Sequence, residues 1–145
     1  MLHAAYKAGI AFSKSYVGYI HALAHSLGGQ YGTPHGLANA VIMPYVLEGY
    51  GRKSYKKLHK LGIVAGVSSV KDSHKKGAKK FIHALRELNR AMNIPDKIAG
   101  IRKEDIPIMA EHAEREANPL YPVPKLMTQG ELEAFYYLIA EEAEE

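Results

Sequence analysis

The sequence contains no cysteine. Disulfides, thiolate metal sites and cysteine nucleophiles are therefore excluded, and any metal must be held by imidazole or carboxylate. A long apolar run is missing too: no stretch approaches the roughly 18 to 20 residues of a membrane helix. The N-terminal MLHAAYKAGIAFSKSYVGYI is interrupted by Lys7, Ser13, Lys14 and Ser15. It has no compact apolar segment followed by a cleavage site, so it does not read as a signal peptide. These absences lead to the expectation of a soluble chain in a reducing, cytoplasmic compartment, with no membrane partner. Guanidinium is scarce, limited to Arg52, Arg86, Arg90, Arg102 and Arg115. The abundant lysines, such as Lys71, Lys75, Lys76, Lys79 and Lys80, recur three and four apart between apolar positions, which reads as a solvated helix face. No nucleic-acid partner is expected, despite a formal charge of +4.

What is present fits one folded domain over residues 1–145, with 47% hydrophobic and 23% charged residues. Small and apolar residues at helical spacing predict a first buried helix over Leu2 to Phe12, with Ser13 and Ser15 as caps for the next. A second helix is expected from about Tyr16 to Leu27, ended by Gly28 and Gly29. Thr33 as N-cap and Pro34 at the first helical position start a third helix through LANAVIMPYVLEGY, nearly uncharged and expected to be fully buried, with a kink at Pro44. Further helices are predicted over residues 54–67 capped by Ser54, 70–92 and 106–117. NPLYPVPKL forms an extended connection, and Thr128 with Glu131 makes a capping box for a last helix over 130–145. No strand pattern is found. The fold class is all-α.

Three of the eight histidines fall between Tyr19 and Gly36. His21 and His25 are four apart and share one helix face, and His35 follows a glycine break and a helix start, so a second helix can return its imidazole to the first two. That spacing suits a metal or a proton relay, and equally a pair of hydrogen-bonded core histidines. Several chemistries are set aside: HALAH lacks the glutamate of H-E-x-x-H, and no His-Asp pair, G-x-S-x-G elbow or glycine-rich phosphate loop occurs.

Gly18, His21, His25 and Gly28, followed by Pro34-His35-Gly36 and Ala38-Asn39-Ala40, make up G-x-x-H-x-x-x-H-x-x-G and then P-H-G. This resembles the metal-site signature of the iron-containing (group III) alcohol dehydrogenases, including the fourteen-residue separation from His21 to His35. The resemblance implies a helical bundle like the C-terminal metal-binding domain of the dehydroquinate synthase-like fold, with the active site in a cleft against a domain that binds NAD(P). It also implies one divalent metal, Fe(2+) or sometimes Zn(2+), with His21 and His35 as two of its ligands. An aspartate and a further histidine, the other two ligands of that family, have no counterpart before His21. His25 matches a histidine beside substrate and nicotinamide that helps proton movement.

The expected activity is oxidation of an alcohol or reduction of an aldehyde by metal-assisted hydride transfer. It would require the N-terminal dinucleotide-binding domain, the isolated chain is expected to be inactive, and the alternative partner for the apolar face left open is a second copy in a homo-oligomer. A zinc-dependent glycerol dehydrogenase is a lesser variant of the same chemistry. The alternative from another class is a noncatalytic helical interaction module, or a truncated, inactive fragment.

Overall fold

The computed structural model describes residues 1–141. Among these residues seven α-helices follow one another: α1 (Leu2–Ser15), α2 (Tyr19–Tyr31), α3 (His35–Gly49), α4 (Tyr55–Val64), α5 (His74–Ala91), α6 (Ile106–Ala117) and α7 (Gln129–Ile139). Short 3₁₀ turns lie at Gly51–Lys53 and Lys103–Asp105. Among the described residues there is no strand, only an isolated parallel bridge between Ile98 and Ala140. The all-α expectation holds, and no helix among the described residues is long and apolar enough to cross a membrane.

α2 is the centre of the bundle, packed against α3 on one side and α6 on the other, while α7 covers α6 and part of α3. Its apolar positions Tyr19, Leu23 and Leu27 are fully buried among Ile42, Ile106, Met109, Leu132, Tyr136 and Ile139. Burying each of the two leucines contributes about 1.5–3 kcal/mol, so α2 is held by tertiary packing rather than by helix propensity. Two buried tyrosines are tied at their polar ends. The Tyr19 hydroxyl donates to Asn118 Oδ1 and accepts from Met127 N at 2.9 Å, and the Tyr136 hydroxyl donates to Leu23 O at 2.8 Å. Burial pushes the Tyr136 hydroxyl pKa up and raises that of Tyr50 to about 12.

α4 and α5 form a hairpin with its own small apolar cluster of Leu58, Ala78 and Ile82. The lysines of α5 are on its outer side, as the spacing predicts. Lys76 and Lys80 meet Asp72 at 3.2 and 2.7 Å.

Several boundaries differ from the sequence expectation for physical reasons. Gly28 and Gly29 do not end α2. It continues to Tyr31, and Gly32, at φ 65°, supplies the left-handed cap with its N–H on Gly28 O. Two helical glycines cost about 1 kcal/mol each relative to alanine. Contacts from neighbouring segments hold the turn nonetheless: Ser26 Oγ donates to Met109 O at 2.9 Å, the Tyr31 hydroxyl donates to Asp105 Oδ2 at 2.7 Å, and Arg102 N donates to the Tyr31 oxygen at 3.0 Å.

Ser13 and Ser15 do not cap α2. They lie inside α1 and donate back to Gly9 O and Ala11 O. α1 has no buried residue and presents Leu2, Tyr6 and Phe12 to solvent, contrary to the buried helix expected there. In the third helix, Pro34 rather than Thr33 occupies the cap position. α3 runs continuously through Pro44, and it is buried mainly at Ala38, Val41, Ile42, Pro44 and Val46 rather than throughout. The helix expected over 70–92 starts only at His74, because the Ser73 side chain accepts from Lys76 N and caps it there.

α7 carries the predicted capping box. Thr128 Oγ1 accepts from Glu131 N, and Thr128 N donates to Glu131 Oε2 at 3.1 Å. α7 ends at Ile139, and the part of the predicted last helix over 142–145 lies outside the described residues. Replacing Thr128 by alanine is expected to lower stability by about 1 kcal/mol, read as a shift of the urea midpoint at unchanged slope.

Candidate functional site

The apolar stripe of α2 that faces the core leaves His21 and His25 on an adjoining face, one turn apart. The left-handed turn at Gly32 then reverses the chain, so His35 opens α3 directly opposite them. All three imidazoles converge. Ring centres are 5.9 Å apart for His21 and His25, 5.4 Å for His21 and His35, and 5.2 Å for His25 and His35. Two imidazoles on one ion, with metal–nitrogen bonds near 2.1 Å, place their centres about 4.5–5.3 Å apart. The cluster is close to that spacing.

The surroundings differentiate the three rings. His21 is the most enclosed, and its pKa is lowered by burial first and then by proximity to His35 and His25, against a smaller opposing effect of Glu116. A neutral imidazole is the form that binds a metal. His25 is held at Nδ1 by Glu116 Oε1 at 2.8 Å, and the same carboxylate oxygen accepts from the Tyr121 hydroxyl at 2.8 Å. That hydrogen bond to Glu116 is the main reason the Tyr121 pKa is raised. With Nδ1–H on the carboxylate, Nε2 of His25 is the nitrogen left to exchange a proton.

His35 is held by Asn39 one turn on. Asn39 Nδ2 donates to His35 O at 2.8 Å and lies 3.1 Å from His35 Nε2. Exchanging the amide oxygen and nitrogen would set two acceptors 2.8 Å apart, which fixes the orientation. Asn39 Oδ1 is left buried with no partner, alone in this among the described residues.

The donor set fits Fe(2+) or Zn(2+) in ligand type, with borderline nitrogen ligands and no thiolate, and of the three rings His25 has a carboxylate partner, Glu116. The set is not closed. No group of three or more His, Asp or Glu among the described residues is placed to hold an ion by itself. Beside the cluster, a cavity of 360 Å³ is lined by His25, Ser26, Gly29, Gln30, His112 and Glu116.

The sequence brings out the three histidines but not Glu116, Tyr121 or His112, which come from α6 and the segment after it. Glu116 is 91 residues from His25, and no spacing rule connects them. Asn39 had a local signal, being four residues after His35 on one helix face.

Comparison with known proteins identifies the family. The C-terminal model of the Fe-containing alcohol dehydrogenase family matches residues 1–139. Alcohol dehydrogenase 4 of Saccharomyces cerevisiae is 42% identical over 121 residues, covering 81% of this chain and 30% of the yeast protein. Lactaldehyde reductase of Escherichia coli is 37% identical over 110 residues, covering 74% of this chain and 29% of the relative. Among solved structures, an alcohol dehydrogenase from Oenococcus oeni superposes with a TM-score of 0.83 at 31% identity, over 91% of this chain and 35% of that one. The chain therefore spans about a third of the length of the relatives it matches. By sequence and by fold, it belongs to the iron-containing alcohol dehydrogenase family, as the C-terminal part of that architecture.

Proposed function

We propose that this chain is the metal-binding, substrate-side domain of an NAD(P)-dependent alcohol oxidoreductase. It would oxidise an alcohol or reduce an aldehyde once joined to the NAD(P)-binding domain that the family resemblance implies. The observation that carries this reading is the convergence of His21, His25 and His35 from two helices, with centres 5.2 to 5.9 Å apart. The names of the relatives, alcohol dehydrogenase and lactaldehyde reductase, support the substrate class.

His21 and His35 are the proposed ligands. An ion bound there would supply Lewis-acid polarisation of the alcohol or carbonyl oxygen. His21 is suited to this by its neutral, enclosed ring, and His35 by its position at the mouth of α3. His25 has the other role. Its Nδ1 is committed to Glu116, so its Nε2 moves the proton that leaves the alcohol or returns to the alkoxide. Glu116 and Tyr121 hold that ring in place. NAD(P) would be bound mainly by the region outside this chain, which also brings the remaining metal ligands and closes the open side of the cluster.

The test is reconstitution. The chain is fused to the part of the yeast relative that it does not cover, loaded with Fe(2+) or Zn(2+), and assayed for NAD(P)H formation from primary alcohols. Activity is expected in the fused protein and not in the chain alone. A folded, metal-loaded fusion with no turnover on any alcohol or aldehyde would contradict the proposal.

A further inference from the structure

A second histidine pair lies away from the first site, in the α4–α5 hairpin. His59 on α4 is 4% exposed, an unusual depth for an imidazole, and His74 is the first residue of α5. Their Nδ1 atoms are 3.1 Å apart. His59 Nε2 lies 2.9 Å from Ser69 O. A carbonyl only accepts, so Nε2 carries the proton and the Nδ1 lone pair of His59 is fixed toward His74. The ring is seated against the backbone of Gly77, where a Cβ would come within 2.0 Å of His59 Cδ2 and 2.7 Å of Ser68 Oγ. The hairpin is thus shaped around this imidazole in one orientation.

We propose that His59 and His74 form a second, labile metal site for a borderline divalent cation of the Zn2+ type, coordinated by the two Nδ1 atoms, with water completing the shell. This site does not depend on the oxidoreductase reading. Three observations support it. Two nitrogens bound side by side to one ion at about 2.1 Å stand about 3.0–3.4 Å apart, which includes the observed separation. His59 already has the outer partner that metal-bound histidines use, a backbone carbonyl on the far nitrogen. His74 is exposed, so the proton that lies between the two Nδ1 atoms in the metal-free pair can move to its Nε2 as the ion enters, with no net proton released.

The same surroundings set the strength of binding. Asp72, the nearby carboxylate, is occupied by Lys76, Lys80 and the Ser69 N–H and supplies no third ligand. The N-terminal dipole of α5 and its lysines oppose a cation. The affinity is therefore expected in the micromolar range rather than the nanomolar range of closed sites.

The experiment uses the full chain with His21, His25 and His35 all replaced by alanine, titrated with zinc chloride by calorimetry and by ¹⁵N NMR of the histidine rings. One equivalent of zinc should bind, shifting the Nδ1 resonances of His59 and His74, and adding His74→Ala should abolish that isotherm. Because His74 is exposed, this variant should keep the fold, checked by circular dichroism, whereas His59→Gln perturbs a buried ring and serves only as a second check. No one-to-one binding in the micromolar range, or an isotherm unchanged by His74→Ala, would overturn the proposal and leave a proton-sharing pair only.

Discussion

His21→Ala and His35→Ala, introduced separately into the protein joined to its cofactor-binding region, are each expected to lower alcohol oxidation, together with the metal retained after dialysis has removed weakly held ions, by more than about 100-fold. Loss of partners that merely orient a ligand already costs 10–100-fold in affinity or activity, and these substitutions remove the proposed ligands themselves. His25→Ala is expected to behave differently. Metal content should be retained while kcat falls by roughly 100-fold or more, the usual contribution of a positioned acid or base. The division follows from surroundings that differ within one cluster: His25 is tied at Nδ1 to Glu116, while His21 is enclosed and held neutral. Metal analysis by mass spectrometry beside steady-state kinetics separates the two outcomes. Equal loss of metal in all three variants would remove the distinction.

Tyr19→Ala is expected to be the most damaging single substitution for the fold, lowering stability by about 3–5 kcal/mol, the usual cost of removing a fully buried aromatic side chain. Tyr19 is fully buried at the start of α2, and its hydroxyl joins that helix to Asn118 and Met127 on the far side of the bundle. Tyr19→Phe keeps the ring and isolates those partners, so a smaller loss of about 1–3 kcal/mol is expected. The pair of variants therefore separates packing from hydrogen bonding in urea-induced unfolding. Because the same helix carries His21 two residues later, the alanine variant should also weaken metal binding in proportion to the unfolded fraction. A loss below about 1 kcal/mol for Tyr19→Ala would show that α2 is not the centre of the core.

The parts of this architecture that depend on local chemistry are legible from the residues alone. α6 was expected over residues 106–117 and is found there. The Thr128–Glu131 capping box needs only four residues of sequence, and both of its hydrogen bonds are formed. The histidine cluster was legible because its members lie within fifteen positions, with a fixed helical spacing and a turn between them. Two of the failures arise because distant contacts, or their absence, outweigh local preference. Gly28 and Gly29 read as a helix end, yet Tyr31 is held in the helix by Asp105 and the backbone of Arg102, more than seventy residues away. α1 reads as buried from its alanines and aromatics, but the residues that would cover it are not supplied by the other described elements. Glu116 and Tyr121 were invisible because nothing in HAEREANPLYP connects them to His25. Only the packing of α6 against α2 does so.

The most direct test of the central claim is anomalous diffraction from crystals of the fused, zinc-loaded protein, recorded at the metal absorption edge. A peak is expected at the α2–α3 junction, separate from any at His59 and His74, about 2.0–2.2 Å from a nitrogen of His21 and of His35, with His25 unbonded to the ion and still on Glu116. A peak bonded to His25 in place of either ligand, or no ion at this cluster in a fully active protein, would contradict it.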